Sequence, residues 1–166
     1  MSKTPQDAID LLDAEHRAVK ALFDDYRQLS DHKAGGARRK ALAETICMEL
    51  TIHMRLEEEM FYPPVREAVR DDDLLDEAEV EHAGAKELIG QILSMQPGDE
   101  LYDAKVTVLG EYIAHHVKEE REEMFPRARK SGIDLAALGE RLRTRRQELQ
   151  AVPEALREDA LVCVSA

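Results

Sequence analysis

The chain has 166 residues, enough for one domain with a buried core, and combines 35% charged residues with 4% aromatics and no Trp. That balance favours helices over a β-rich fold. The formal net charge of -12 argues against a nucleic-acid partner, because phosphate binding needs a basic face.

A first helix is predicted from Thr4-Pro5, with Thr as N-cap, Pro in the first turn and Asp7 supporting it. Its apolar stripe, Ile9, Leu12, Val19, Phe23 and Tyr26, steps by three and four residues and is interrupted at its centre by His16. Ser30 to Gly36, with Gly35-Gly36, reads as a loop, and His32 within it receives no role. A second helix, about Ala37 to Val69, carries Leu42, Ile46, Leu50, His53, Glu57 and Phe61 on one stripe. Pro63-Pro64 should kink or shift it near its end. Asp71-Asp72-Asp73 supplies a turn and an N-cap for a third helix, with Leu75, Ala78, His82, Ala85, Ile89 and Ile92 on one face. Gln96 to Asp99 is a tight connection.

A fourth helix begins near Glu100, places Val106, Leu109, Ile113, His116, Glu120 and Met124 on its stripe, and ends with Pro126 and Ser131-Gly132. A fifth, about Asp134 to Gln150, carries Leu135, Leu138, Leu142 and Leu149 and should pack outside the others. A short helix over Glu154 to Leu161 follows. Arg141, Arg143, Arg145 and Arg146 form one basic run, read as a solvated helix surface rather than a binding patch. Four long helices with short loops predict an all-α, up-down-up-down four-helix bundle over residues 1–130. Residues 131–166 form a C-terminal helical extension packed on it.

Two phrases nearly repeat: H-M-R-L-E-E-E-M-F-Y-P from His53 to Pro63, and H-V-K-E-E-R-E-E-M-F-P from His116 to Pro126. Each sets a Glu four positions after its His, on the same helix face about 6 Å along the axis, so the pair can reach one metal ion. A single His on an apolar stripe reads as a hydrogen-bonded core residue. Here His16, His53, Glu57, His82, His116 and Glu120 all fall on stripes that otherwise hold apolar side chains, and buried Glu is costly unless paired or metal-bound. These six are the candidate metal ligands. His115 and Glu119 have the same spacing as His116 and Glu120. They lie about 100° around the helix from the stripe and one residue out of register with Pro126.

Imidazole and carboxylate ligands without thiolate fit Fe, Mn or Zn. Two potentially bridging carboxylates suit two ions with open positions, whereas structural zinc prefers a closed tetrahedron. Two irons joined by a bridging oxygen are the first choice. Cys47 and Cys163 fit no metal or redox spacing and read as free thiols in a reducing cytosol. No apolar run resembles a signal peptide, and none approaches the roughly 20 residues that span a bilayer. A soluble, cytoplasmic protein without a membrane partner is expected, monomeric by default, with the fifth helix a possible dimer contact.

At these residues the chain resembles the hemerythrin-like family, the HHE cation-binding domain, whose pattern is His, His-x3-Glu, His, His-x3-Glu on four successive helices. His16, His53 with Glu57, His82, and His116 with Glu120 fill every position, over about residues 5 to 130. The resemblance implies a non-haem di-iron centre, oxo- or hydroxo-bridged, that binds or senses O2 or a related small ligand. Oxygen-carrying members have a second His four residues from the first on the third helix. Ala78 and Lys86 stand at those places here. Solvent, Glu15, Glu79 or Glu81 is expected to complete that iron, and the extra open position favours redox reactivity over reversible oxygen carriage. A di-iron enzyme acting on peroxide or Fe(II) is the first alternative, and a structural or partner-binding bundle the second. Ferritin-like carboxylate proteins rank lower, because their Glu-x-x-His motif occurs only at Glu79 to His82.

Overall fold

The computed structural model describes residues 6–33 and 35–163, and among these residues no strand occurs. Helix α1 (Ala8–Asp31) starts where the Asp7 carboxylate accepts the Asp10 N–H at 2.9 Å and Asp10 accepts the Asp7 N–H, a reciprocal capping box. The cap expected at Thr4-Pro5 lies outside the described residues. Helix α2 (Gly36–Leu56) begins one residue earlier than expected, and Asp71 caps α4 (Asp72–Ser94) through the Leu74 N–H. Leu101 turns the chain in the left-handed region, at φ 69°, before α5 (Tyr102–Glu119).

The prolines act upstream of where a kink is expected. Glu57–Phe61 and Glu120–Met124 are both π-helical turns, followed by α3 (Tyr62–Val69) and α6 (Phe125–Lys130). Tyr62 N–H bonds the Glu57 carbonyl and Phe125 N–H bonds the Glu120 carbonyl, five residues back in each case. A proline clashes with the carbonyl four residues earlier and offers no donor. Widening the turn just before Pro63 and Pro126 changes the bonding register there, so the fourth helix passes Pro126 and ends at Lys130, before the expected Ser131-Gly132.

The chain forms an up-down-up-down bundle of α1, α2–α3, α4 and α5–α6. Two apolar cores fill it. One gathers Leu12, Leu56, Phe61, Leu75 and Met124, the other Val19, Leu50, Met54, Ile89 and Leu109. Along each of the four main helices the inward His lies between residues of the first core and residues of the second, so the polar cluster is a layer between them.

Helix α7 (Leu135–Gln150) packs on α1 and α2, and α8 (Pro153–Val162) on α4 and α2. Leu138, Leu142, Leu149 and Leu156 join the first core. Gly139 permits the closest approach: a Cβ there would lie 2.9 Å from the backbone nitrogen of Ala8. The basic run on α7 is not the solvated surface expected of it. Arg145 holds Glu59 and Glu148, Arg146 holds Glu15 and Glu49, and Arg143 donates to the Gln6 carbonyl, because α7 lies over the carboxylate-rich side of the bundle. Arg141 is exposed. Cys47 is buried and Cys163 exposed, and both are free. No helix of the described residues is long and apolar enough to cross a membrane.

Candidate metal centre

All six candidate ligands are buried, none more than 5% exposed. They converge as two overlapping groups: His16, His53, Glu57 and Glu120 in one, and Glu57, His82 and His116 in the other. The imidazoles meet through their Nε2 atoms, 2.9 Å apart for His16 and His53 and 3.1 Å for His82 and His116. Each carboxylate reaches both halves. Glu57 Oε1 lies 2.9 Å from His53 and its Oε2 3.2 Å from His82. Glu120 Oε2 lies 3.2 Å from His16 and its Oε1 3.4 Å from His116. Each carboxylate thus faces histidines of both groups.

An outer ring of carboxylates aims the imidazoles inward. His53 Nδ1–H donates to Glu15 at 2.6 Å, His82 Nδ1–H to Glu58 at 2.8 Å, and His116 Nδ1–H to Glu81 at 2.6 Å. A carboxylate accepts only, so it holds a proton on Nδ1 and turns Nε2 toward the centre, where loss of its own proton would free a lone pair for a cation. The acceptors come from sequence neighbours of inward residues: Glu15 precedes His16, Glu58 follows Glu57, and Glu81 precedes His82. About 100° of helical rotation turns each from the centre toward a histidine on another element. Arg146 extends one chain outward, donating to Glu15 at 2.7 Å.

The residues expected to complete the second half do not reach it. Glu15 and Glu81 are in the outer ring, and Glu79 binds Arg66 at the surface. The Tyr62 hydroxyl lies against that half instead. Its hydroxyl lies 2.8 Å from Glu120 Oε1, 3.1 Å from Glu57 Oε2, and 3.1 and 3.2 Å from the Nε2 atoms of His82 and His116. The π-turn causes this, because residues five apart stack over one another in it, whereas in an α-helix they diverge. Its counterpart in the second phrase is Phe125, which stacks on His16 with ring centroids 5.8 Å apart. The two halves therefore differ by one hydroxyl.

His116 and Glu120 face inward, while His115 is 64% exposed and contacts Glu81 and Glu119 at the surface. His32 bonds the Gln28 carbonyl at the end of α1.

Electrostatics bind the cluster tightly even without a cation. Burial opposes charge on His53, but Glu57 and Glu15 outweigh it and raise its pKa to about 10. Burial likewise opposes charge on His116, yet Glu120, Glu57 and Glu81 raise it to about 12. Burial and the Glu57 charge push Glu120 upward, while His116 and His16 hold it down at about 2. Glu57, also against burial, is kept well below the usual carboxylate range by His53, His116 and His16. Glu57 Oε1 and Glu120 Oε2 nevertheless remain buried without a hydrogen-bond donor. Imidazole Nε2 atoms and carboxylate oxygens turned together without thiolate, with two oxygens lacking a hydrogen bond, fit a metal cation that would replace the imidazole protons.

The fold and this buried His/carboxylate layer define a helical bundle with a candidate metal site. The chain belongs to the hemerythrin HHE cation binding domain family, whose model matches residues 7–128. A similar solved structure is the crystal structure of a hemerythrin HHE cation binding domain-containing protein from Mycobacterium kansasii. It matches with a TM-score of 0.75 and 22% identity, over 96% of this chain and 97% of that one. A curated relative, a DNA nickase from Nostoc sp., is 28% identical over 116 residues, which are 70% of this chain and 32% of the relative. The chain thus spans about a third of that protein's length.

Proposed function

We propose that the chain holds two metal ions, iron by preference, and binds or responds to a small ligand such as O2 or nitric oxide. His16 and His53 would hold one ion, and His82, His116 and the Tyr62 oxygen the other, with Glu57 and Glu120 shared. Bound in this way, redox-active ions supply an electron-accepting or electron-donating centre. The protein's part is to orient the ligands, exclude water and limit access.

One observation carries the choice of ligand. Beside the imidazoles lies a small chamber of about 10 Å³, lined by His16, His53, His82 and His116 with Val19, Leu50 and Ile113 among its apolar walls. A space of that size has room for about one water-sized molecule. Its walls favour a small apolar diatomic over an organic substrate.

The test is spectroscopic. The protein is loaded with Fe(II) anaerobically, its metal is counted, and it is exposed to O2 and separately to nitric oxide. The reading expects about two irons per chain and a new visible absorption band. Iron-loaded protein without spectral response to either gas would rule it out. A peroxide- or Fe(II)-consuming enzyme is the second reading, favoured by the absence of a further histidine on the third helix, where Ala78 and Lys86 stand, and by the Tyr62 hydroxyl beside His82 and His116. Multiple turnovers of hydrogen peroxide would establish it. The nickase activity of the Nostoc relative does not enter the proposal, since the match covers 32% of that protein and this chain carries a net charge of -12.

A further inference from the structure

A cleft of about 600 Å³ lies between α1 and α5, lined among the described residues by these two helices and the second π-turn. That volume is typical of a small-molecule site. Phe23, Val106, Gly110, Ile113 and Val117 make its wall apolar. Gly110 sets the width, for a Cβ there would meet the Phe23 ring at 3.0 Å. The inner end is His16. Ile113 and Val117 line both this cleft and the small chamber at the imidazoles, so the two are neighbours.

Two features of that inner end are unexplained by the metal centre. The first is charge. Arg17, Lys118 and Arg121 gather there in a chain whose net charge is -12. Arg17 and Arg121 share one carboxylate, Asp13, and Lys118 makes no ion pair among the described residues. Farther out, Lys20 and Arg27 share Asp24, while Asp31, Glu111 and Glu122 are the other acids that line the cleft. The second is His16 itself. Three inward histidines have Nδ1 on an outer carboxylate. The Nδ1 of His16 is buried with no partner among the described residues. If Nε2 serves a metal, as the function proposed above requires, Nδ1 carries the proton and is a buried donor without an acceptor.

We propose that the cleft binds an elongated apolar monocarboxylate of the fatty-acid class. Its carboxylate lies at the Arg17–Lys118–Arg121 end as the outer acceptor His16 lacks. Its tail runs along Val106, Gly110 and Phe23. The ligand would complete the fourth carboxylate–histidine pair of the centre. Outer carboxylates of this kind orient a metal-bound imidazole and raise its basicity, so occupancy of the cleft would adjust the centre without entering the chamber.

The test is calorimetric titration with laurate below its micellar concentration, beside dodecanol and dodecyltrimethylammonium, on both chelated and metal-loaded protein. Saturable one-to-one binding of laurate is expected, at least tenfold tighter than either comparison ligand. Ala114→Trp, which fills the cleft from an exposed position, and the double variant Lys118→Glu/Arg121→Glu should each weaken laurate at least tenfold while melting like the parent. Two variants guard against misfolding of one. Equal affinity for laurate and dodecanol, unchanged binding in both folded variants, or a dimer seated on this face that laurate does not disperse would overturn the proposal. A chain that takes up metal but not laurate sinks the cleft alone. One that binds laurate but no metal sinks the functional reading and leaves the cleft.

Discussion

The Tyr62 hydroxyl lies 2.8 Å from Oε1 of Glu120, a residue 58 positions further along the chain. The contact joins the end of one repeated phrase to the middle of the other, and it exists because a π-turn brings Tyr62 back onto the face of Glu57. Burial, with Glu120 and Glu57 beside it, pushes the Tyr62 phenol well above its ordinary range, so without a cation it is a neutral donor.

Replacing Tyr62 with Phe should preserve the fold, since Phe125 already occupies the equivalent place in the second phrase. The metal-free protein should lose about 1–3 kcal/mol from the stranded carboxylate oxygens, read by denaturant melts. In ferric protein a phenolate–iron band should be present in the parent and absent in the variant. Identical spectra would place Tyr62 outside the coordination sphere.

Glu81→Gln should weaken metal affinity roughly 10- to 100-fold, because it unpins His116. His115→Ala, one residue away and 64% exposed, should change it by less than about threefold within ordinary context scatter. Competition against a chelator of known affinity distinguishes the two. Equal losses would mean that the exposed imidazole belongs to the centre.

Chelation should lower the melting temperature, since a ligand that binds only the native state at a hundredfold excess over its Kd contributes about 2.7 kcal/mol. For a domain of this size that is on the order of 5–10 °C. Calorimetry before and after metal removal, with reloading as control, measures it.

Metal-free and metal-loaded protein should respond to pH in opposite ways. With folded pKa values of about 10 and about 12, His53 and His116 contribute stability to the metal-free chain that is fully present below about 6.5 and is lost as pH rises through the folded values. Glu120, at about 2, contributes stability that is present above about 4.5 and lost as pH falls toward 2. Metal must displace the imidazole protons, so affinity should rise with pH and uptake near neutrality should release protons. An indicator dye in weak buffer counts them. Uptake without proton release would contradict the ion-paired description.

Gly139→Ala should destabilise the chain by about 1–3 kcal/mol, because the new methyl meets the backbone where α1 begins, 2.9 Å away. Denaturant melts of the variant read the loss.

Much of this was legible in the sequence, and for one reason. The α-helical period is regular, so His16, His53, His82 and His116 could be placed on the same stripes as their apolar neighbours, which proved buried. What escaped was whatever departs from that period. Tyr62 lies five residues after Glu57, off the stripe of an ideal helix, and only the wide turn before Pro63-Pro64 restores it. The repeat held the clue, since the same spacing precedes Pro126. The arginines of α7 escaped for a different reason: their partners Glu15, Glu49 and Glu59 are distant in sequence, and no local pattern links them. Phe23, read as core, is only half-buried, because α1 and α5 part to form the cleft.

Glu15–His16, Glu57–Glu58 and Glu81–His82 each place one side chain inward and its immediate neighbour sideways, onto a histidine from elsewhere in the bundle. Sliding any of these helices by a single position would exchange the two roles, swinging the inner group out and an outer carboxylate in, and would break contacts on two elements at once. Adjacent residues with opposed duties thus act as a vernier: they lock the axial alignment of the rods more finely than interchangeable Leu and Ile packing can.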